Sequence, residues 1–138
     1  MSQPSAPGIS GLCCLIVADD LTGSCDAAVH FARNGMTAAV SLDGAIASLP
    51  AAMAIAINTD SRGMDEKTAA NRVEAAYRTG MGQQVTLFKK IDSALRGHVA
   101  AEIASAAQAT GCELIIVAPA LPSLGRAVVD GRVCLPSG

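Results

Sequence analysis

Short apolar runs alternate with amphipathic stretches along most of this chain. Leu12 to Ala18 is continuously apolar, the pattern of a strand covered on both faces. It stops at Asp19-Asp20-Leu21-Thr22-Gly23-Ser24. Cys25 to Asn34 then reads as a helix, with Ala28, Phe31 and Ala32 on one side and Gly35 as its stop. Thr37 to Leu42 and Met53 to Ile57 predict two more strands, the latter running into Asn58-Thr59-Asp60-Ser61-Arg62-Gly63. Asp65 and Glu66 open a second helix, with Ala69, Ala70, Val73, Ala76 and Tyr77 at helical spacing and Gly80 at its end. Val85 to Phe88 predicts a strand that leads into Lys89-Lys90-Ile91-Asp92-Ser93. Gly97 to Thr110 predicts a helix burying Val99, Ile103 and Ala106, stopped by Gly111. Leu114 to Val117 predicts the last strand, before Pro119, Pro122 and Gly125.

Regular alternation of strand and helix implies an α/β domain: a mainly parallel sheet flanked by helices in three layers. The polar clusters follow the strands and are not on the helices. In open α/β sheets, ligands bind beyond the carboxyl ends of the strands. Four clusters are therefore expected around one crevice.

Composition narrows the classes. The chain has 138 residues, the size of one ordinary domain, and 51% are hydrophobic, enough for a real core. Only 2% are aromatic, so that core must be Ala, Val, Ile and Leu. Ten Lys and Arg stand against 12 Asp and Glu, which argues against a nucleic-acid partner. Residues 1–10 are rich in Ser, Pro and Gly and read as a flexible leader without the basic start of a secretory signal. The stretch from Ala45 to Ile57 is broken by Ser48 and Pro50 and is too short for a membrane span. A soluble cytoplasmic protein with no membrane partner is expected. Five cysteines without CxxC spacing argue against a zinc site or a disulfide framework. Cys13, Cys14 and Cys112 read as small buried hydrophobes. His30 and His98 are too few for a metal cluster, so no metal site is expected.

Three clusters carry the candidate chemistry. Asp19 and Asp20 can accept hydrogen bonds from hydroxyls, act as a base or hold a metal, and one of the two is a natural helix N-cap. Arg62 can clamp a carboxylate or phosphate, although a loop arginine is more often a surface group. Lys90, Asp92, Ser93 and Arg96 surround a strand-to-helix turn that suits an anion; Lys89 is expected on the opposite face of the strand end. A solvated charged loop is the bland alternative. Arg126 and the Asp130-Gly131 pair are weak signals alone. A P-loop, a GxGxxG turn and a GxSxG elbow are all absent from the sequence. Asp19-Asp20-Leu21-Thr22 superficially matches an aspartyl-phosphate loop, but such loops alternate their aspartates.

Taken together, Val17-Ala18-Asp19-Asp20-Leu21-Thr22-Gly23, Thr59-Asp60-Ser61-Arg62, Lys89-Lys90-Ile91-Asp92-Ser93 with Leu95-Arg96-Gly97, Ala118-Pro119-Ala120 with Pro122 and Gly125-Arg126, and Asp130-Gly131 resemble the four-carbon acid sugar kinases. The resemblance runs from about Leu15 to Gly138, in the family's order. It implies ATP-dependent phosphorylation of threonate, erythronate or an oxo-tetronate, with ATP and Mg2+ as cofactors. It implies that residues 11–138 are part of an N-terminal sugar-acid-binding domain, that the C-terminal nucleotide-binding domain is absent, and that this fragment is inactive alone. The acceptor site would use Asp19 or Asp20, Arg62, Lys90, Ile91, Asp92 and Ser93, with Arg96 as a further cation. Ala94, His98 and Ala100 depart from the usual Thr, Asn and Gly. The alternatives are a non-catalytic module for small anions and, less favoured, a phosphatase of the aspartyl-phosphate type.

Overall fold

The computed structural model describes residues 11–80 and 84–136; the leader expected over residues 1–10 lies outside them. Four strands, β1 (Cys14–Ala18), β2 (Ala38–Ser41), β3 (Ala54–Asn58) and β4 (Thr86–Lys90), form one sheet in the order β2-β3-β1-β4. Every pairing in it is parallel. Three helices complete the layers: α1 (Leu21–Arg33), α2 (Glu66–Thr79) and α3 (Val99–Thr110).

β1 is central and wholly buried. Its side chains alternate between two cores. Leu15 and Val17 join Ile55, Ile57, Val73, Tyr77 and Ala109 beneath α2 and α3. Cys14 and Ile16 join Ala54, Ala56 and Ala28 beneath α1. Each fully buried Leu, Ile or Val contributes about 1.5–3 kcal/mol, so these continuous apolar runs are what place β1 and β3 at the centre. Tyr77 fills the α2 side, where burial pushes its phenol above the usual range. Gly80, the expected stop of α2, has an ordinary negative φ. Its lack of a side chain is required because a Cβ there would overlap Leu15.

Several expectations are corrected. Leu114 to Val117 is not a strand. An apolar tetrapeptide specifies burial but not a hydrogen-bonding partner. Here the segment faces β4 across a cleft of about 670 Å³ lined by Leu87, Phe88, Ile103 and Ala106. α3 buries Glu102, Ser105 and Ala109, while Val99, Ile103 and Ala106 are half-buried. The reason is its packing on α2, where the Ser105 hydroxyl donates to the Ala70 carbonyl at 2.7 Å; the Ile103 side looks into the cleft. α1 buries Gly23, Ser24 and Ala28 and leaves Ala32 exposed. Cys13 and Cys112 are exposed and only Cys14 is buried, because Cys13 precedes the strand and Cys112 follows the end of α3. A hairpin, β5 (Ala127–Val129) with β6 (Arg132–Cys134), was not expected. Asp130-Gly131 is its turn, both at positive φ, which is the Asp-Gly hairpin signature.

The corrected path of residues 114–117 has a measurable consequence. Ile116 is 83% exposed. Ile116→Lys is therefore expected to change unfolding free energy by less than about 0.5 kcal/mol, which denaturant titration would check. A loss of several kcal/mol would return this segment to the sheet.

Candidate functional site

Three of the four polar clusters meet beyond the carboxyl ends of β1, β3 and β4. The turn after β3 is tied to the end of β1 by backbone bonds: the N–H groups of Ser61 and Arg62 donate to the Asp19 carbonyl at 3.0 and 3.3 Å. This brings the Arg62 guanidinium over both aspartates. Arg62 Nε and Nη2 donate to Asp19 Oδ2 and Oδ1 at 2.7 and 3.1 Å. Nη1 donates to Asp20 Oδ2 at 2.6 Å, and Nη2 lies 3.5 Å from Asp92 Oδ1. Arg96 in turn clamps Asp92 through Nε at 3.0 Å and Nη2 at 2.8 Å. The backbone N–H groups of Ala94 and Arg96 also donate to Asp92.

Asp20 is the aspartate that caps α1. It accepts from the Gly23 N–H at 2.8 Å, while its other oxygen faces Arg62. Asp19 is almost fully buried and Asp20 is partly open, so Asp20 is the one a solute can reach. Lys90 approaches the same helix tip. A Cβ added to Gly23 would stand 2.8 Å from Asp20 Oδ1, 3.3 Å from Lys90 Cγ and 3.7 Å from its Nζ. Gly23 thus lets Asp20 and Lys90 converge. Gly23→Ala is expected to break the cap and cost about 1 kcal/mol, measured by chemical denaturation; unchanged stability would mean the helix tip yields freely.

Charge explains the geometry. Hydrogen bonds from Arg96, then from backbone N–H groups, with Arg62 nearby, hold the Asp92 carboxyl well below the usual carboxylate range despite its burial. The Asp19 hydrogen bond and the surrounding carboxylates raise Arg62. Arg62 is therefore the hub of an internal network and not a free clamp, contrary to a reading in which it waits for a ligand. Among the described residues, Lys90 is the cation of this cluster that no carboxylate neutralises; its Nζ donates to the Ile91 carbonyl at 2.8 Å.

Ile91 and Ser93 line the neighbouring cleft with Asp92, Lys90 and residues Ala118 to Leu121, which is how the fourth polar segment adjoins the cluster. Lys89 lies on the other face of β4, 2.7 Å from Glu102. His98 Nε2 faces the Met64 carbonyl at 2.7 Å and so carries the ring proton there. Thr59 and Ser61 stand out in the sequence only as members of the Thr59-Asp60-Ser61-Arg62 motif, without a role of their own, and Glu102 does not stand out at all. The available signal was a single carboxylate, Glu102, inside the otherwise apolar stretch Val99 to Ala104.

A second hollow, about 480 Å³, lies between β3 and α2, lined by Asp43, Asn58, Asp60 and Arg72. Its arginine is spent on the Thr59 and Asp60 carbonyls, so the charged cluster is the stronger candidate. The cluster does not fit a magnesium nucleotide. Asp19 and Asp92 are already held by arginines, and no group of three or more His, Cys, Asp and Glu among the described residues could hold a metal. No helix among them is long and apolar enough to cross a membrane.

The fold and site therefore define an α/β domain with a polar, charge-balanced rim at one end of a parallel sheet. Residues 14–137 match the family model described as sugar-binding N-terminal domain, and the chain belongs to that family. It is 44% identical over 119 residues to a D-threonate kinase of Cupriavidus necator, covering 85% of this chain and 28% of that protein. It is 36% identical over 126 residues to a D-threonate kinase of Salmonella typhimurium, covering 90% and 30%. It is 37% identical over 128 residues to a D-erythronate kinase of Heliobacterium modesticaldum, covering 89% and 29%. The chain thus spans under a third of the length of these relatives. A crystal structure of a domain of unknown function from Bordetella bronchiseptica, a domain-swapped dimer with bound citrate, superposes with TM-score 0.84 at 38% identity, over 91% of this chain and 34% of that one.

Proposed function

We propose that this chain is the acceptor-binding part of an ATP-dependent kinase for a four-carbon sugar acid such as D-threonate or D-erythronate. The observation that carries the reading is the meeting of Asp20, Arg62, Lys90 and Asp92 at one strand-end rim. Lys90 takes the acid's carboxylate, aided by the positive end of α1. Asp20 accepts hydrogen bonds from the hydroxyls and is placed to take a proton from the one that is phosphorylated. Ser93 adds a hydroxyl contact from the cleft side. Arg62 and Arg96 hold the carboxylates in position, so the site is organised before the acid arrives.

The names of the relatives support the substrate class. Citrate in the similar structure is also a short hydroxy acid anion. Because the cluster does not fit a magnesium nucleotide, ATP and Mg2+ are assigned to the part of the relatives' length that this chain does not span. The aspartyl-phosphate alternative is disfavoured, since Asp19 is almost fully buried beneath Arg62 and a phosphoryl donor cannot reach it. A thermal-shift panel of four-carbon sugar acids tests the proposal. Ligand that binds only the folded chain must raise its melting point, and the rise is expected for tetronates and not for neutral tetritols. Equal response to both would defeat the charged-acceptor reading.

A further inference from the structure

We propose that Glu102 is a positioning residue that fixes the Arg62 turn through Ser61; this rests on the acceptor-site reading above. Glu102 sits in the first turn of α3, 2% exposed. Its Oε1 accepts from the Ser61 hydroxyl at 2.5 Å, and its Oε2 lies 2.7 Å from Lys89 Nζ. Ser61 is fully buried. Its oxygen is 2.8 Å from the Thr59 hydroxyl, which reaches the Ala18 carbonyl at 2.8 Å. Its backbone N–H donates to Asp19. The next residue is Arg62.

Every strand end that carries a site residue is therefore tied to this one carboxylate. β1 is reached through the Ser61 N–H on the Asp19 carbonyl, the turn after β3 through the Ser61 hydroxyl, and β4 through Lys89, whose neighbour Lys90 points to the opposite face. Stability is a poor account of the arrangement. A buried ion pair is often no more stabilising than apolar residues of the same volume. An apolar side chain at position 102 would fill the space, but it could not orient the Ser61 hydroxyl. Arg62 must keep three carboxylates in reach at once, and a shift of its turn by about 1 Å exceeds the roughly 0.5 Å tolerance of a preorganised site.

The test follows the Arg62 Nε–H in the 138-residue chain by side-chain nitrogen NMR, beside calorimetric titration with D-threonate. Ser61→Ala keeps the Glu102–Lys89 pair; in Glu102→Gln the carbonyl oxygen goes to the Lys89 ammonium and the amide turns a donor toward Ser61, reversing the bond that orients its hydroxyl. In either folded variant the Arg62 Nε–H is expected to lose its protection from exchange and move toward a free guanidinium. Affinity for D-threonate should fall at least about tenfold. If Glu102→Gln does not fold, Lys89→Met with Glu102→Leu removes both buried charges together and serves in its place. An unchanged Arg62 signal in a folded variant overturns the positioning role. Failure of the unaltered chain to bind D-threonate defeats the acceptor reading instead, and the Arg62 signal separates the two.

Discussion

Arg62→Ala is expected to abolish sugar-acid binding and to lower stability by about 3 kcal/mol. An exposed ion pair is worth at most about 1 kcal/mol, and Arg62 is itself partly open to solvent. The larger figure applies because its partners are not. The side chains of Asp19 and Asp92 are 4% and 5% exposed, and neither can rehydrate when the guanidinium leaves. Asp19 would lose both of its side-chain hydrogen bonds in one step. Three carboxylates would then face one another with only Arg96 and Lys90 nearby. Arg62→Lys separates charge from geometry. A single ammonium cannot serve Asp19 bidentately and Asp20 together, so part of the stability should return while binding does not. Denaturant unfolding and calorimetry on both variants measure this. Binding that survives in Arg62→Ala would remove the arginine from the site.

Asp92→Asn is expected to cost about 2 kcal/mol at neutral pH, with a pH dependence of known sign. Asp92 accepts two side-chain bonds from Arg96 and two from backbone N–H groups. An amide keeps the shape but turns one acceptor into a donor that meets an arginine. The folded carboxyl is held below its ordinary value, so the unfolded chain binds the proton more readily. The stability it contributes is complete above the unfolded pKa, about 3.9, and is lost as pH falls through the folded value. The gap between the native chain and Asp92→Asn should therefore be widest near neutrality and shrink below about pH 4. Unfolding curves across that range check it; a gap that widens in acid would contradict the assignment.

Much of the sheet was legible because apolar runs such as Leu15 to Val17 and Ala54 to Ile57 admit few arrangements other than buried parallel strands. The Asp19-Asp20, Arg62 and Lys90 turns were legible for a related reason: polar residues directly after buried strands have one end of the sheet to occupy. Partnership was not legible. Leu114 to Val117 has the composition of a strand, but pairing depends on whether β4 is met in register. The charge logic of the site was also hidden. Residue types show that Arg62 could hold an anion; they do not show that Asp19 and Asp20 already occupy it. Glu102 was missed because helical spacing gave α3 an apolar face at Val99, Ile103 and Ala106. Packing on α2 turned that helix so that its carboxylate went inward.

The most direct measurement is a backbone-amide NMR titration of the 138-residue chain with D-threonate. Saturable shifts are expected, centred on Asp20 to Ser24, Arg62 and Gly63, and Lys90 to Arg96. Saturable shifts confined to the hollow around Asp43, Asn58 and Arg72, or none anywhere, would contradict the acceptor-site reading.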